Sequence, residues 1–260
     1  MRIARFALEG EVSFGVIEGP GTDPADLVVA ALQGHPFAPF AFTGARHRLT
    51  DVRLLAPVLP SKVVGIGKNY ADHAAEMGSE APANPLVFLK PSTSVVGPGD
   101  PIVLPRDSND VNHEAELAVV IGRLCRDVPR ERAHDVILGY TCGNDVTARD
   151  QQKADGQWTR GKGHDSFAPL GPWVETELNP ADLGVQCFVD GQVRQDGRTS
   201  ALIHDVPSIV AYVTSFMTLL PGDVILTGTP AGVGPLGAGN AVTVFVEGIG
   251  PLTNPVVARA

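Results

Sequence analysis

The sequence is poor in cysteine, and its three cysteines offer no pairing pattern. Cys125, Cys142 and Cys187 are far apart along the chain, and no CxxC motif is present. An odd number of widely spaced cysteines argues against a disulfide framework and against a structural zinc site. We therefore expect reduced, buried thiols in a cytoplasmic protein.

Long apolar runs and basic clusters are also missing. The N-terminal MRIARFALEGEVSFG lacks the apolar core of a signal peptide, and no stretch approaches the roughly 20 apolar residues that cross a bilayer. The formal net charge is -9, whereas nucleic acid binding requires a basic face. We expect neither a membrane nor a nucleic acid as partner. A small anionic substrate would be repelled unless a cation occupied its site.

Glycine and proline, by contrast, are frequent, with 29 and 22 residues, and short apolar segments lie between them. Six segments rich in valine, isoleucine and phenylalanine predict strands: VVGIG, PLVFLK, LAVVIG, VQCFVDG, DVILTG and AVTVFVEG. Two segments predict helices: RERAHDVILGY after Pro129, and DVPSIVAYVTSFMTLLPG, which Pro221 and Gly222 end. The pattern predicts a mixed α/β, β-rich fold with a few helices packed on it.

The first part of the chain differs from the rest. MRIARFALEGEVSFGVIEG predicts a β-hairpin, and the remainder as far as DVRLLAPVLPSK is rich in loop-forming residues. We therefore predict a small N-terminal β module at residues 1–56 and a main domain at residues 57–260.

The segment VNHEAELAVVIG carries the strongest chemical signal. On a strand, Glu114 and Glu116 point to the same face, because residues two apart share a face. Two like charges side by side are costly unless a cation joins them, and paired carboxylates suit Mg²⁺, Mn²⁺ or Ca²⁺ better than Zn²⁺. Asp145, at a predicted strand end in GYTCGNDVTARDQQ, supplies a third acid. The spacing is also compatible with a solvated strand face, and His113 should point to the opposite side.

Six segments, in this order, resemble the fumarylacetoacetate hydrolase family. They are VVGIGKNYADHAAEMG, PLVFLKPSTSVVGPGDPIVLP, VNHEAELAVVIG, GYTCGNDVTARDQQ, GKGHDSFAPLGPW and DVILTGTPAGVG, and they cover roughly residues 57–256. The resemblance implies the family's β-roll, with the catalytic domain at 57–260, and a homodimer. It also implies Mg²⁺ or Mn²⁺ as cofactor, held by Glu114, Glu116 and Asp145.

The motif NYADHAAEMG contains His73 and Glu76, which share one face of a short helix. Glu76 could fix the tautomer of the imidazole and make a pair able to activate water. The resemblance places this H-x-x-E pattern on a lid over the substrate, and the small polar residues of GSEAPANP suit a lid. The residues alone are also compatible with a surface helix that carries an incidental histidine.

Two further positions match active-site residues of the family: Lys162, which joins His73 and Glu76 in the predicted catalytic set and also binds substrate, and Thr229, which binds substrate. Lys162, flanked by glycines, could stabilise negative charge that develops on the substrate, although a solvated loop lysine fits the same pattern. Thr229 opens the glycine-rich turn TGTPAGVG, whose backbone N–H groups could bind a carboxylate. The turn is not a P-loop, because its lysine and spacing are wrong.

Four residues are weaker candidates and are left out of the catalytic set. Lys90 follows the PLVFLK strand and could point into the same cavity. Arg149 could instead pair with Asp150, and Gln151 has no distinct role. Tyr70 is expected to pack or to support the lid.

The resemblance implies chemistry on a small anionic 2-oxo acid through a metal-bound enolate. Because the H-x-x-E pattern is intact, we predict cleavage of a C–C bond in a 2-oxo or 1,3-dioxo acid, as in an acylpyruvate hydrolase or an oxaloacetate-type decarboxylase. The alternatives are a 2-hydroxyhepta-2,4-diene-1,7-dioate isomerase or 5-oxopent-3-ene-1,2,5-tricarboxylate decarboxylase of aromatic catabolism, and a non-catalytic metal-dependent binding protein.

Overall fold

The computed structural model describes residues 1–76 and 82–259, and most of its regular structure is β-strand. The strands are β1 (Arg2–Leu8), β2 (Glu11–Glu18), β3 (Val28–Gln33), β4 (Ala41–Arg48), β5 (Arg53–Leu55), β6 (Val63–Gly67), β7 (Leu86–Lys90), β8 (Val95–Val96), β9 (Ile102–Leu104), β10 (Val111–His113), β11 (Ala115–Ile121), β12 (Ile137–Asn144), β13 (Thr147–Ala148), β14 (Ala168–Glu175), β15 (Gly184–Val189), β16 (Gln192–Arg198), β17 (Val224–Leu226), β18 (Gly234–Pro235), β19 (Ala241–Val246) and β20 (Gly250–Ala258). The α-helices are α1 (Ala71–Glu76), α2 (Arg149–Asp155), α3 (Thr159–Gly163) and α4 (Val206–Phe216). All six predicted strands are present.

The strands form one large sheet and two smaller ones. The large sheet has the order β4-β3-β2-β1-β14-β12-β11-β17-β6-β7, with β5 also paired to β1 and β8 to β14. A second sheet has the order β16-β15-β19-β20-β9, and a short third sheet the order β13-β10-β18. Most pairs are antiparallel, whereas β17 with β6, β14 with β8 and β20 with β9 run parallel. The β-rich fold class predicted from the sequence is therefore correct.

The predicted N-terminal hairpin is formed by β1 and β2. Leu8 and Glu11 face each other across the turn, and the two turn residues, Glu9 and Gly10, have φ values of 50° and 90°. A two-residue turn with both φ values positive matches the right-handed twist of the flanking strands. The hairpin joins the large sheet through β1, which pairs with β14.

The prediction that loops follow this hairpin was wrong. Strands β3 and β4 continue the large sheet beyond β2, and β5 pairs with the other side of β1. The apolar run Val28–Gln33 is mostly buried, so its strand is stabilised by packing as well as by pairing. The predicted module at residues 1–56 thus extends the large sheet.

Strand β11 lies inside the large sheet and is buried on both faces. Leu117, Val119 and Ile121 belong to the larger of two hydrophobic clusters, while Ala118 and Val120 belong to the smaller one. Full burial of a large aliphatic side chain stabilises the fold by roughly 1.5–3 kcal/mol. This buried central strand contains Glu116, and Glu114 directly precedes it.

The helix predicted from residue 205 onwards is present but shorter than expected. Asp205 caps α4 by accepting a hydrogen bond from the Ser208 N–H at 2.9 Å. The helix ends at Phe216, and Met217 is extended. The segment after it turns away because Leu219 exchanges two backbone hydrogen bonds with Cys125, both 3.0 Å long.

The helix predicted after Pro129 was wrong. Residues Arg130–Val136 form a 3₁₀ helix, and Ile137 begins β12 instead of continuing it. The segment ILGYTCGN contains β-favouring residues, and β12 pairs with both β11 and β14. Tertiary pairing therefore overrides the local helical pattern.

Candidate metal centre and active site

The three acids predicted to bind a metal come together in the fold. Glu114, Glu116 and Asp145 each offer a carboxylate oxygen, and these atoms lie within 4.8 Å of one another. The three residues are only 4%, 2% and 1% exposed, respectively. Burial excludes the alternative of a solvated strand face.

Backbone contacts fix this arrangement. Glu114 lies between β10 and β11, and Asp145 directly follows β12, which pairs with β11. The Glu114 N–H donates to the Asn144 side-chain oxygen at 3.0 Å, and the Asp145 N–H donates to the Glu114 carbonyl at 2.9 Å. The beginning of β11 and the end of β12 lie side by side, and they thereby hold all three carboxylates at the same end of this strand pair.

Three basic side chains surround the acids. Lys162, in α3, contacts Glu114 at 2.7 Å and Asp145 at 2.5 Å. Lys90, a weaker candidate from the sequence, is fully buried and lies 2.6 Å from Asp145. It therefore contacts the acidic cluster directly. Arg149 forms an ion pair with Glu114.

Arg149 thus pairs with a nearby acid, as the sequence suggested, but that acid is Glu114 and not Asp150. Asp150 accepts hydrogen bonds from Ser108 and Asn109 on the other side of α2. Neighbouring helical residues do not face each other, and Arg149 donates to Gln152, one turn further on, at 2.8 Å.

The charges on the acids are unequally balanced. Burial alone would raise the pKa of Glu114, but Lys162 and Arg149 outweigh burial and hold that pKa below its ordinary value. Burial raises the pKa of Glu116 well above its ordinary value, and the charges of Asp145 and Glu114 raise it further. The basic side chains thus stabilise the negative charge of Glu114 more than that of Glu116.

This donor set fits a divalent cation. All the converging atoms are carboxylate oxygens, the hard ligands that Mg²⁺ and Mn²⁺ prefer. Burial and the neighbouring acids raise the pKa of Glu116, so a cation bound beside it would favour its charged form. Glu114, Glu116 and Asp145 would hold the ion, and burial would keep bulk water from most of its surface.

The predicted His73–Glu76 pair is present on α1. His73 is buried, and its Nδ1 lies 3.2 Å from a Glu76 carboxylate oxygen. Both oxygens of Glu76 also lie 3.2 Å from the N–H of Gly232, which donates to them. Residues 77–81, which belong to the predicted lid, lie outside the described residues.

The turn after β17 contacts the protein's own carboxylates. The Gly228 N–H donates to Glu116 at 2.6 Å, and Gly232 donates to Glu76. Thr229 is buried, and its hydroxyl donates to the Ala115 carbonyl at 2.8 Å. The backbone N–H groups expected to bind a substrate carboxylate therefore bind side chains of the chain itself.

Gln195 on β16 connects this turn to the acidic strand, and no sequence pattern points to it. Its oxygen accepts hydrogen bonds from the Ala115 N–H at 3.0 Å and from His113 at 2.9 Å. Its amide nitrogen donates to the Thr229 hydroxyl at 2.7 Å. Gln195 comes from a different sheet, so only the tertiary fold brings it here.

A cavity of about 240 Å³ opens beside the acids. It is lined by Gly67, Lys68, His73, Glu114, Arg149, Gln152, Lys153, Trp158 and Lys162. Sequence reasoning missed Gln152 and Lys153, although both follow Arg149 at helical spacing and could have been predicted to share its face. Gln151 points elsewhere and contacts His164 at 2.7 Å, and Tyr70 is buried in the packing around the site.

Comparison with known proteins assigns the chain to a family. The family model for the fumarylacetoacetate hydrolase C-terminal domain matches residues 62–257. This chain is a member of the fumarylacetoacetate hydrolase family. A second model, the Rv2993c-like N-terminal region, matches residues 1–57. The family resemblance and its fold are thereby confirmed, while the exact domain boundary stays a prediction.

Two curated members of the family are similar over most of this chain. Protein Rv2993c of Mycobacterium tuberculosis is 56% identical over 262 residues, which cover 100% of this chain and 99% of that protein. The mitochondrial oxaloacetate decarboxylase of Dictyostelium discoideum is 44% identical over 197 residues, covering 72% of this chain and 89% of that protein.

Two solved structures of the family have the same fold. The 2-hydroxyhepta-2,4-diene-1,7-dioate isomerase of Mycobacterium marinum superposes on this chain with a TM-score of 0.94 at 54% identity. The alignment covers 100% of this chain and 99% of the isomerase chain. The maleylpyruvate hydrolase of Sphingobium sp. SYK-6, in complex with manganese(II) and pyruvate, has a TM-score of 0.81 at 32% identity, with both chains fully covered. The family thus includes an isomerase, a hydrolase and a decarboxylase, and one member binds manganese. Within the described residues, no helix has the length and apolar character needed to cross a bilayer.

Proposed function

We propose that this protein is a Mg²⁺- or Mn²⁺-dependent enzyme that cleaves a C–C bond in a small 2-oxo or 1,3-dioxo acid. The observation that carries the proposal is the cavity in which His73 and the Glu114 carboxylate face the same space. A buried three-carboxylate cluster and a histidine–carboxylate pair at one small cavity supply a metal site and a base together.

The chain's own residues provide binding and charge stabilisation. A divalent cation, when bound, supplies Lewis acidity to the oxygen atoms of the substrate. Lys162 is held beside Glu114 and Asp145, and Arg149 lies beside Glu114. Both place positive charge where an enolate oxygen would develop negative charge when the bond beyond C3 breaks.

The His73–Glu76 pair is suited to activate water. When the Nδ1–H of His73 donates a hydrogen bond to Glu76, the lone pair on Nε2 remains available to accept a proton. In an acylpyruvate hydrolase, His73 would take the proton of a water that attacks the distal carbonyl. In an oxaloacetate-type decarboxylase the leaving group is CO₂, and no attacking water is required.

A Mg²⁺- and Mn²⁺-dependent assay on acylpyruvates and oxaloacetate tests this proposal. We expect turnover of at least one of these acids, its loss in Glu116→Gln, and a large loss of hydrolysis in His73→Ala. Hydrolysis that is unchanged in His73→Ala would rule out that residue as the base. Metal-dependent binding of these acids without turnover would favour the binding-protein alternative.

A second candidate is isomerisation or tautomerisation of a dienoate, in which the same groups only move protons. The similarity to the Mycobacterium marinum isomerase at 54% identity favours it. Turnover of 2-hydroxyhepta-2,4-diene-1,7-dioate, with no cleavage of acylpyruvates or oxaloacetate, would replace the first proposal by this one.

A further inference from the structure

Lysine is rare in this chain and is concentrated at one place. The sequence contains five lysines, Lys62, Lys68, Lys90, Lys153 and Lys162. Lys68, Lys153 and Lys162 line the cavity beside the acids. Lys90 contacts Asp145, one of these acids. Surface lysines that only aid solubility would be scattered, so this concentration indicates a role at the cavity.

The four lysines divide into two kinds. Lys90 and Lys162 are buried and form ion pairs with the acids of the cluster. Lys68 is half-buried and Lys153 is exposed. In the described part of the chain, no carboxylate oxygen lies within 4.0 Å of either ammonium group. Among the described residues, Lys68 and Lys153 therefore bring positive charge to the cavity without a carboxylate partner.

The backbone holds Lys68 in an uncommon conformation. Its φ is 56°, in the left-handed region that non-glycine residues seldom occupy. Such strain persists where the surrounding structure imposes it, often at binding sites. Lys68 directly follows β6, and that strand end also positions Gly67 against the cavity wall.

Trp158 forms an apolar wall of the same cavity. A Cβ atom on Gly67 would come within 2.5 Å of the Trp158 ring, so glycine is required for the ring to lie here. The cavity therefore combines the acidic cluster, a flat apolar wall and two ammonium groups that no carboxylate of the described residues contacts. A short carbon chain with an anionic group at each end matches these three features.

We propose that Lys68 and Lys153 bind a second carboxylate of the substrate, so that the site selects dianionic 2-oxo acids over monoanionic ones. The inference rests on the proposed function, because it requires the 2-oxo acid end of the substrate to lie at Glu114, Glu116 and Asp145. Lys153 lies one helical turn after Arg149 on α2. The second carboxylate would thus lie on the same side of the cavity as that helix.

A binding experiment tests this inference without requiring turnover. Calorimetric titration of the Mn²⁺-loaded protein would compare 2-oxoglutarate with 2-oxopentanoate, which has the same chain length but one carboxylate fewer. The variants are Lys68→Gln, Lys153→Gln and their combination. Arg126→Gln is the control, since it removes one positive charge from an exposed side chain that does not line the cavity.

We expect the unaltered protein and Arg126→Gln to bind 2-oxoglutarate at least about 10-fold more tightly than 2-oxopentanoate, since each lysine adds a modest, partly screened attraction. The double variant should lose most of this preference, and its affinity for 2-oxopentanoate should stay the same. That second affinity also shows that the variant is folded and holds the metal.

The outcomes separate this inference from the proposed function. Equal affinity for the two acids in the unaltered protein, or a preference that survives the double substitution, overturns the inference and leaves the proposed function intact. Binding of neither acid overturns both.

Discussion

Asp223 and Glu116 are both buried carboxylates, and they contact opposite ends of the same short strand. Asp223 directly precedes β17, and Glu116 accepts a hydrogen bond from Gly228, just after it. Asp223 accepts five hydrogen bonds: from Ser61 N–H at 3.0 Å and Oγ at 2.6 Å, Lys62 N–H at 3.2 Å and Nζ at 2.5 Å, and Leu220 N–H at 2.8 Å. For Glu116, Gly228 is the one hydrogen-bond donor identified among the described residues.

The pKa values follow this difference. Burial alone would raise the pKa of Asp223, but the Leu220 N–H, Lys62 and Ser61 outweigh burial and hold that pKa below its ordinary value. The pKa of Glu116 is instead far above its ordinary value. Asp223 accepts hydrogen bonds from the chain itself and therefore stabilises the fold. Glu116 has little positive charge from the chain beside it and is therefore suited to bind a cation.

The largest expected effect comes from removing the metal or one of its ligands. Chelation should abolish activity, and Mn²⁺ should restore it. Mn²⁺ at about 100 times its dissociation constant should stabilise the folded protein by roughly 2.7 kcal/mol. Glu116→Gln should lose both responses, since the amide keeps an acceptor for Gly228 but removes the charge. A thermal melt with and without Mn²⁺ measures this, and an unchanged Mn²⁺ response in the variant would contradict the metal assignment.

His73→Ala should lower kcat for a hydrolytic reaction by roughly 10²–10⁴-fold, the usual contribution of a general base. The metal response in the melt should remain, because His73 is not a metal ligand in this assignment. Steady-state kinetics with acylpyruvates measure the loss. A drop in Mn²⁺ affinity of similar size would show that His73 acts on the metal centre instead.

Asp223→Asn should reduce the free energy of unfolding by about 2–3 kcal/mol, because the asparagine NH₂ group cannot accept the hydrogen bonds that a carboxylate oxygen accepts. Activity per folded molecule should be unchanged, since Asp223 does not line the cavity. Urea unfolding of the metal-free proteins measures the difference. In the same experiment Glu116→Gln should not be destabilised, and equal losses in the two variants would remove the distinction between the two carboxylates.

The loss in free energy of unfolding caused by Asp223→Asn should depend on pH, and this effect should be smaller than the others. A carboxyl whose folded-state pKa is lowered contributes stability that is full above its ordinary value of 3.8. This contribution is lost as the pH falls through the lowered folded-state pKa. The deficit of the variant should therefore be constant near neutral pH and shrink below about pH 4, as measured by urea unfolding at each pH. A deficit that grows on acidification would contradict this sign.

Local pattern predicted the strands and the acids well. The hairpin of β1 and β2 and the strand of Glu116 follow from apolar residues and turn residues that interact with close neighbours. The 3₁₀ segment at Arg130–Val136 and the early end of α4 at Phe216 did not follow, because long-range pairing decides both. Pairing partners distant in sequence are invisible to a local pattern.

Local sequence is enough to specify the chemical groups of the site: the spacing of Glu114 and Glu116, the following Asp145, and the three-residue spacing of His73 and Glu76. The two spacings follow from the period of a strand or a helix, and Asp145 follows from its place in the motif GYTCGNDVTARDQQ. The tertiary structure decided which charges compensate one another. It brought Lys90 and Arg149 to the acids and connected Thr229 to β11 through Gln195. It also placed Lys68 and Lys153 at the cavity, where no carboxylate of the described residues contacts them. These contacts join elements far apart in the chain, and their energies depend on burial and distance, which exist only after folding.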